Sequence, residues 1–145
     1  MEDFVTFEIA KKLKEKGFKE KCLAYYDVED NVGLLYNTQY SDEALPCQYT
    51  DLLQCHNTGE AEGQPDDSNY CVDAPTISQV LKWLREEKKI HVEIDIMKAY
   101  PEAKLIYWGY NIVLIDKCEV YHFEWNSNSF EQAVLAGIEY VIDVV

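Results

Sequence analysis

Positive charge is scarce in this chain: 13 lysines and arginines stand against 27 aspartates and glutamates in 145 residues, a formal net charge of −14. A surface of that sign repels phosphate backbones, so direct nucleic-acid binding is not expected. Long apolar runs are missing too. None reaches the roughly 18 residues a membrane-spanning helix needs, so no membrane association is expected. Met1-Glu2-Asp3 opens the chain without the basic and apolar stretches of a secretory signal. Also absent are a Cys-x-x-Cys pair, a Walker A loop, a Gly-rich dinucleotide loop, a nucleophile elbow and a metalloprotease helix. These absences remove the enzyme classes that announce themselves by motif.

What is present points to a folded chain. Hydrophobic residues make up 48% and aromatics 13%, with eleven tyrosines, which excludes a mostly disordered protein. The length suits one domain spanning residues 1–145. Cys22, Cys47, Cys55, Cys71 and Cys118 are odd in number and irregular in spacing. A secreted disulfide framework favours an even count in a shorter chain, so a cytoplasmic protein with reduced thiols is expected.

Charge divides the sequence into three parts. Residues 1–36 carry eight acids and six lysines, and residues 76–145 carry eleven acids and seven basic residues. Residues 37–75 carry eight acids and no basic residue, and supply more than half of the net charge. In the first part Val5, Ile9 and Leu13 recur at helical spacing, which predicts a helix from Phe4 to Lys16 ended by Gly17. Cys22 to Val28 reads as a strand, with a partner at Leu34–Tyr36. The middle part reads as a long acidic loop with a helical turn within Thr50–His56.

The last part is better punctuated. Thr76-Ile-Ser-Gln79 and Ser129-Phe-Glu-Gln132 both match a capping box and each begins a helical apolar stripe. Between them lie three strand-like runs: Ile90–Ile96, Leu105–Ile115 and Glu119–Trp125. The fold class is therefore α+β: an antiparallel sheet, formed by a three-strand meander plus an N-terminal strand or hairpin, with three helices on one face. Helix–strand–strand–strand–helix is also the order of a double-stranded-RNA-binding domain. That module reaches phosphates through lysines, and here the last helix has neither Lys nor Arg.

Cys47, Cys55, His56 and Cys71 are the candidate metal ligands, since zinc takes such a set tetrahedrally. The adjacent Cys55 and His56 chelate one ion awkwardly, and buried thiols acting as small hydrophobes explain the same residues. No metal or other cofactor is therefore expected. His91, Glu93 and Asp95 share a strand face, but i to i+4 spans roughly 13 Å along a strand, too far for one ion. A solvated face explains them better. His122 and Glu124 could oppose them across strands, giving a His–carboxylate pair for acid–base work. No catalytic residue is assigned on that basis. The aromatics Tyr107, Trp108, Tyr110, Tyr121 and Trp125, with Phe123 among them, crowd the sheet and are the candidate interaction residues.

Two stretches carry a resemblance. One is Phe4-Val-Thr-Phe-Glu-Ile-Ala10 with Leu13-Lys-Glu-Lys-Gly-Phe18, Cys22 and Tyr25–Tyr26. The other is Ala74-Pro-Thr76 with Lys82-Trp-Leu-Arg-Glu86 and Phe130-Glu-Gln-Ala-Val-Leu-Ala-Gly-Ile138. Together they resemble a family of small phage and prophage proteins of gut anaerobic bacteria. That family has no assigned activity, so the resemblance implies a phage setting and carries over no functional residue.

The expectation is a non-enzymatic phage or prophage accessory protein that binds another protein through the aromatic sheet face or the acidic loop. One alternative is an acidic DNA mimic that occupies a host DNA-binding protein, which requires carboxylates arrayed on one rigid face. Another is a small enzyme using His91 or His122 with a carboxylate. Self-association, as a homo-oligomer, is the remaining partner class.

Overall fold

The computed structural model describes residues 3–28, 33–36, 38–40, 49–51, 55, 57 and 71–145. They are α+β, with antiparallel strand pairing throughout. Packing divides the chain into two compact units, residues 1–76 and 77–145, where length alone suggests one domain. The described strands form three sheets, not the single sheet expected.

The first unit contains α1 (Phe7–Glu15), β1 (Ala24–Asp27), β2 (Leu34–Tyr36), β3 (Thr38–Tyr40), β4 (Tyr49–Asp51) and β5 (Cys71–Ala74). Helix α1 begins at Thr6, whose hydroxyl accepts a hydrogen bond from the Ile9 amide at 3.4 Å. It starts later than its periodicity suggests because Phe4 forms an antiparallel bridge with Thr76 and the Val5 amide donates to the Pro75 carbonyl. Those contacts hold the backbone extended. Gly17 ends the helix in the left-handed region at φ 86°, a conformation glycine adopts without penalty. Ile9, Ala10 and Leu13 are buried, and α1 packs on β5.

The strand order is β2-β1-β5, with Ala24 opposite both Tyr36 and Ala74. Strand β5 thus enters the sheet from the end of the segment read as a loop. Within that segment β3 and β4 pair with each other, so residues 49–51 are extended and not helical. The Tyr26 hydroxyl donates to the Val5 carbonyl at 2.7 Å and ties the sheet to the N-terminal segment.

The second unit is α2 (Ile77–Glu87), β6 (Ile90–Tyr100), β7 (Leu105–Leu114), β8 (Glu119–Ser127) and α3 (Phe130–Val144), in the helix–strand–strand–strand–helix order expected. Its sheet runs β6-β7-β8. Both connections between strands use one device, a single turn of 3-10 helix closed by a left-handed residue, Lys104 in one and Cys118 in the other. Helices α2 and α3 pack on the sheet and on each other. Val80, Trp83 and Leu84 are the buried stripe of α2, and Ala133, Val134, Gly137, Ile138, Val141 and Ile142 that of α3. Gly137 permits the close approach. A Cβ there would stand 2.7 Å from Val92 Cγ1 and 3.1 Å from Tyr110 Cγ, inside contact distance.

Candidate functional site

The register of the second sheet decides which side chains face the helices. Directly opposed residues share a face. Ile90, Val92 and Ile94 of β6 stand opposite Leu114, Ile112 and Tyr110 of β7. Ile112 and Tyr110 in turn stand opposite His122 and Glu124 of β8. The contacts Gly137 makes with Val92 and Tyr110 identify this as the helix face.

His122 stacks on Tyr140 of α3, with ring centroids 3.9 Å apart and planes 8° from parallel. Its Nε2 is buried and makes no hydrogen bond. Tyr110, only 3% exposed, donates its hydroxyl to Glu124 Oε2 at 2.8 Å. Burial first, then that bond and the carboxylate charge, raise the Tyr110 pKa above the ordinary 10.0. Trp108 is half-buried on the same side, edge-on to Phe130 at 5.6 Å. Trp108 and Tyr110 therefore belong to the helix–sheet packing and correct the expectation that they form an exposed interaction patch.

The open face carries His91, Glu93 and Asp95, as the alternation predicts. Glu93 accepts a hydrogen bond from Asn111 Nδ2 at 3.2 Å, and Asp95 accepts from the Ile96 amide at 2.7 Å. His122 and Glu124 lie on the other side of the sheet. The expected facing of the two histidine–carboxylate groups does not form. The sheet itself separates them.

On β8 the alternation is inverted. Its polar residues His122 and Glu124 turn toward the helices, and its apolar residues turn out. Val120 and Phe123, each 60% exposed, stand on the open face opposite Val113 and Asn111. Tyr121, 58% exposed, occupies one bulge of the strand, and the exposed Trp125 lies within a second, between Glu124 and Ser127. Tyr107 is half-buried on the open side of β7, edge-on to Tyr100 at 6.0 Å. The open face continues to the far end of the β6–β7 hairpin, where Leu105 is exposed. Of the candidate interaction residues, Tyr121 and Trp125 are exposed. Val120 and Leu105 are the members that the aromatic composition does not single out. Their signal is the alternation in Val120–Trp125, which asks for a cover.

The first unit holds a different kind of group. Asp73 is fully buried. Its Oδ2 accepts from the Asn57 amide at 2.9 Å, while its own amide donates to Asn57 Oδ1 at 3.0 Å. Asn57 Nδ2 also donates to the Phe18 carbonyl at 3.0 Å. These reciprocal bonds fasten residue 57 of the acidic segment to β5. Cys22 lies nearby, its thiol donating to the Glu20 carbonyl at 3.4 Å. Burial, reinforced by the charges of Asp73, Cys55 and Glu20, pushes that thiol well above its ordinary 9.0.

Of the candidate zinc ligands, Cys55 and Cys71 are buried, and Cys55 donates to the Lys19 carbonyl at 3.4 Å. Cys47 and His56 lie outside the described residues. Among the described residues no three His, Cys, Asp or Glu side chains gather as a metal site. Nor, among them, is any helix long and apolar enough to cross a membrane. The exposed acids of the second unit occupy both layers: Glu86 and Glu87 on α2, Glu93 and Asp95 on the open face, Glu131 and Glu139 on α3. Most of the acidic segment 37–75, on which the DNA-mimic alternative also draws, lies outside the described residues. No protein-family model, curated protein or solved structure matches the chain.

Proposed function

We propose that this chain is a non-enzymatic accessory protein, in the phage or prophage setting its resemblance implies, that works by binding another protein through the open sheet face of residues 77–145. The inverted alternation on β8 carries this reading. A strand normally sends its apolar side chains into the core and its polar ones to water. Here Val120 and Phe123 face outward while His122 stacks on Tyr140 of α3 and Glu124 accepts from the Tyr110 hydroxyl. Exposed contiguous apolar surface of this kind marks interaction sites in proteins that fold without it. Leu105 extends the patch along the hairpin, and aromatic residues such as Phe123 and Trp125 are the types enriched at interface centres.

The test is capture of partners by the tagged chain from host lysate, compared with Leu105→Asp and Val120→Asp variants at low and high salt. Apolar contact predicts that a specific partner survives high salt and is lost with either variant. A partner retained by both variants, or released by salt alone, would overturn the assignment to this face.

A further inference from the structure

We infer that β8 pairs with β8 of a second copy of this chain, antiparallel and about a twofold axis through Phe123. This rests on the proposed reading of the open face and names one occupant of its margin. In the order β6-β7-β8 the strand is outermost, and no described strand lies beyond it. An outermost strand presents a row of unpaired amides and carbonyls, which natural sheets guard with lysine, proline, bulges or a short strand. Strand β8 runs nine residues and contains no Lys, Arg, Pro or Gly. Its guards are two bulges, and they bracket a regular stretch, His122–Glu124, that pairs with residues 110–112 of β7.

The strand is its own complement about the centre of that stretch. A twofold through Phe123 sets His122 opposite Glu124 of the second copy, and Tyr121 opposite its Trp125. It also exchanges the two bulges, so the irregular stretches meet each other and the regular ones stay in register. Polar pairs that can hydrogen-bond and aromatic pairs are favourable cross-strand combinations, and no like charges are opposed. The paired sheet reads β6-β7-β8-β8-β7-β6, and the open faces of two copies become continuous.

The opposing force is the net charge of −14 on each copy. It fixes the sign of the salt effect. Repulsion between copies is screened as the Debye length falls from about 10 Å at 0.1 M to about 3 Å at 1 M, so the dimer tightens, by roughly threefold or more, across that range. Sedimentation of the full chain over concentration at both salts reads this directly.

Register is read by crosslinking in a Cys47→Ser, Cys118→Ser background, with glutathione disulfide as oxidant. Phe123→Cys lies on the axis and should form a disulfide dimer. Glu119→Cys places its two thiols roughly 27 Å apart across the pairing and should not. A chain that stays monomeric at every concentration in high salt would overturn the pairing. So would a dimer that salt weakens, or equal crosslinking at 119 and 123. Leu105→Asp keeps the two proposals apart, because Leu105 lies outside the pairing. Loss of the dimer with Leu105-dependent capture intact sinks the pairing alone. A tight dimer with capture indifferent to Leu105 sinks the proposed partner face alone.

Discussion

The two units break the rule of polar outside and apolar inside in opposite directions. Residues 1–76 bury a carboxylate, Asp73, and residues 77–145 expose the apolar side of a strand, Val120 and Phe123. Both look like errors of patterning, and only one is compensated. Asp73 has its bonds to Asn57, so nothing further is asked of it. The apolar side of β8 has no such compensation within its own sheet. A buried polar group with its partners is a structural fastening; an exposed apolar row without a cover is an invitation to bind.

The comparison breaks most visibly at Asp73. Asp73→Ala leaves the Asn57 amide without its acceptor, while the bond from the Asp73 amide to Asn57 Oδ1 survives, and should cost about 3 kcal/mol of stability. Asp73→Asn should cost less, because it keeps one acceptor oxygen. Denaturant unfolding followed by circular dichroism measures both. A loss below about 1 kcal/mol would mean the carboxylate is not a fastening. Next in size is Gly137→Ala. The added methyl meets Val92 and Tyr110, so overpacking should outweigh the gain in helix propensity by about 1–2 kcal/mol. Thermal unfolding of this variant tests whether the helix face of the second sheet is as closely packed as its geometry shows.

Alkaline pH sharpens the contrast between the units. Cys22 and Tyr110 both hold their protons more tightly folded than unfolded. Their contributions are intact below the unfolded values of 9.0 and 10.0 and are lost as pH rises above them. There the unfolded state binds fewer protons, and stability falls by about 1.4 kcal/mol per pH unit for each group. The first unit should weaken from about pH 9 and the second from about pH 10. Cys22→Ala should flatten the first decline. Tyr110→Phe should flatten the second, at a cost of about 1 kcal/mol for the lost bond to Glu124. Unfolding titrations at intervals from pH 8 upward check the order.

Much of the second unit is legible in its sequence because its signals are local. Ser129 caps α3 by accepting from the Gln132 amide, as the capping box predicts, although Gln132 Oε1 reaches back to the Asn128 amide and not to Ser129. The three strands form where the strand-like runs lie, and β6 follows its alternation in placing His91, Glu93 and Asp95 on one face. The first unit is less legible because its sheet is closed by distance in sequence. Ala24 meets Ala74 across fifty residues, and Cys71-Val-Asp-Ala74 is too short to stand out from the acidic segment around it. Asp73 gives no local hint that it is buried. The facing of β8 is illegible for a related reason. Choosing which side of Val120–Trp125 goes in depends on Tyr140 stacking on His122, a contact set by the register of α3 and not by the strand.

The central claim is that the outward side of β8 exists for association and contributes little to folding. Phe123→Asp, unfolded in denaturant beside the unaltered chain and assayed for partner capture and dimer formation, tests it most directly. The expected result is an unfolding free energy within about 0.5 kcal/mol of the original, together with loss of both associations. A loss of about 3 kcal/mol or more would instead place Phe123 in the core, and intact association would show that β8 is not the binding strand; either would contradict the account.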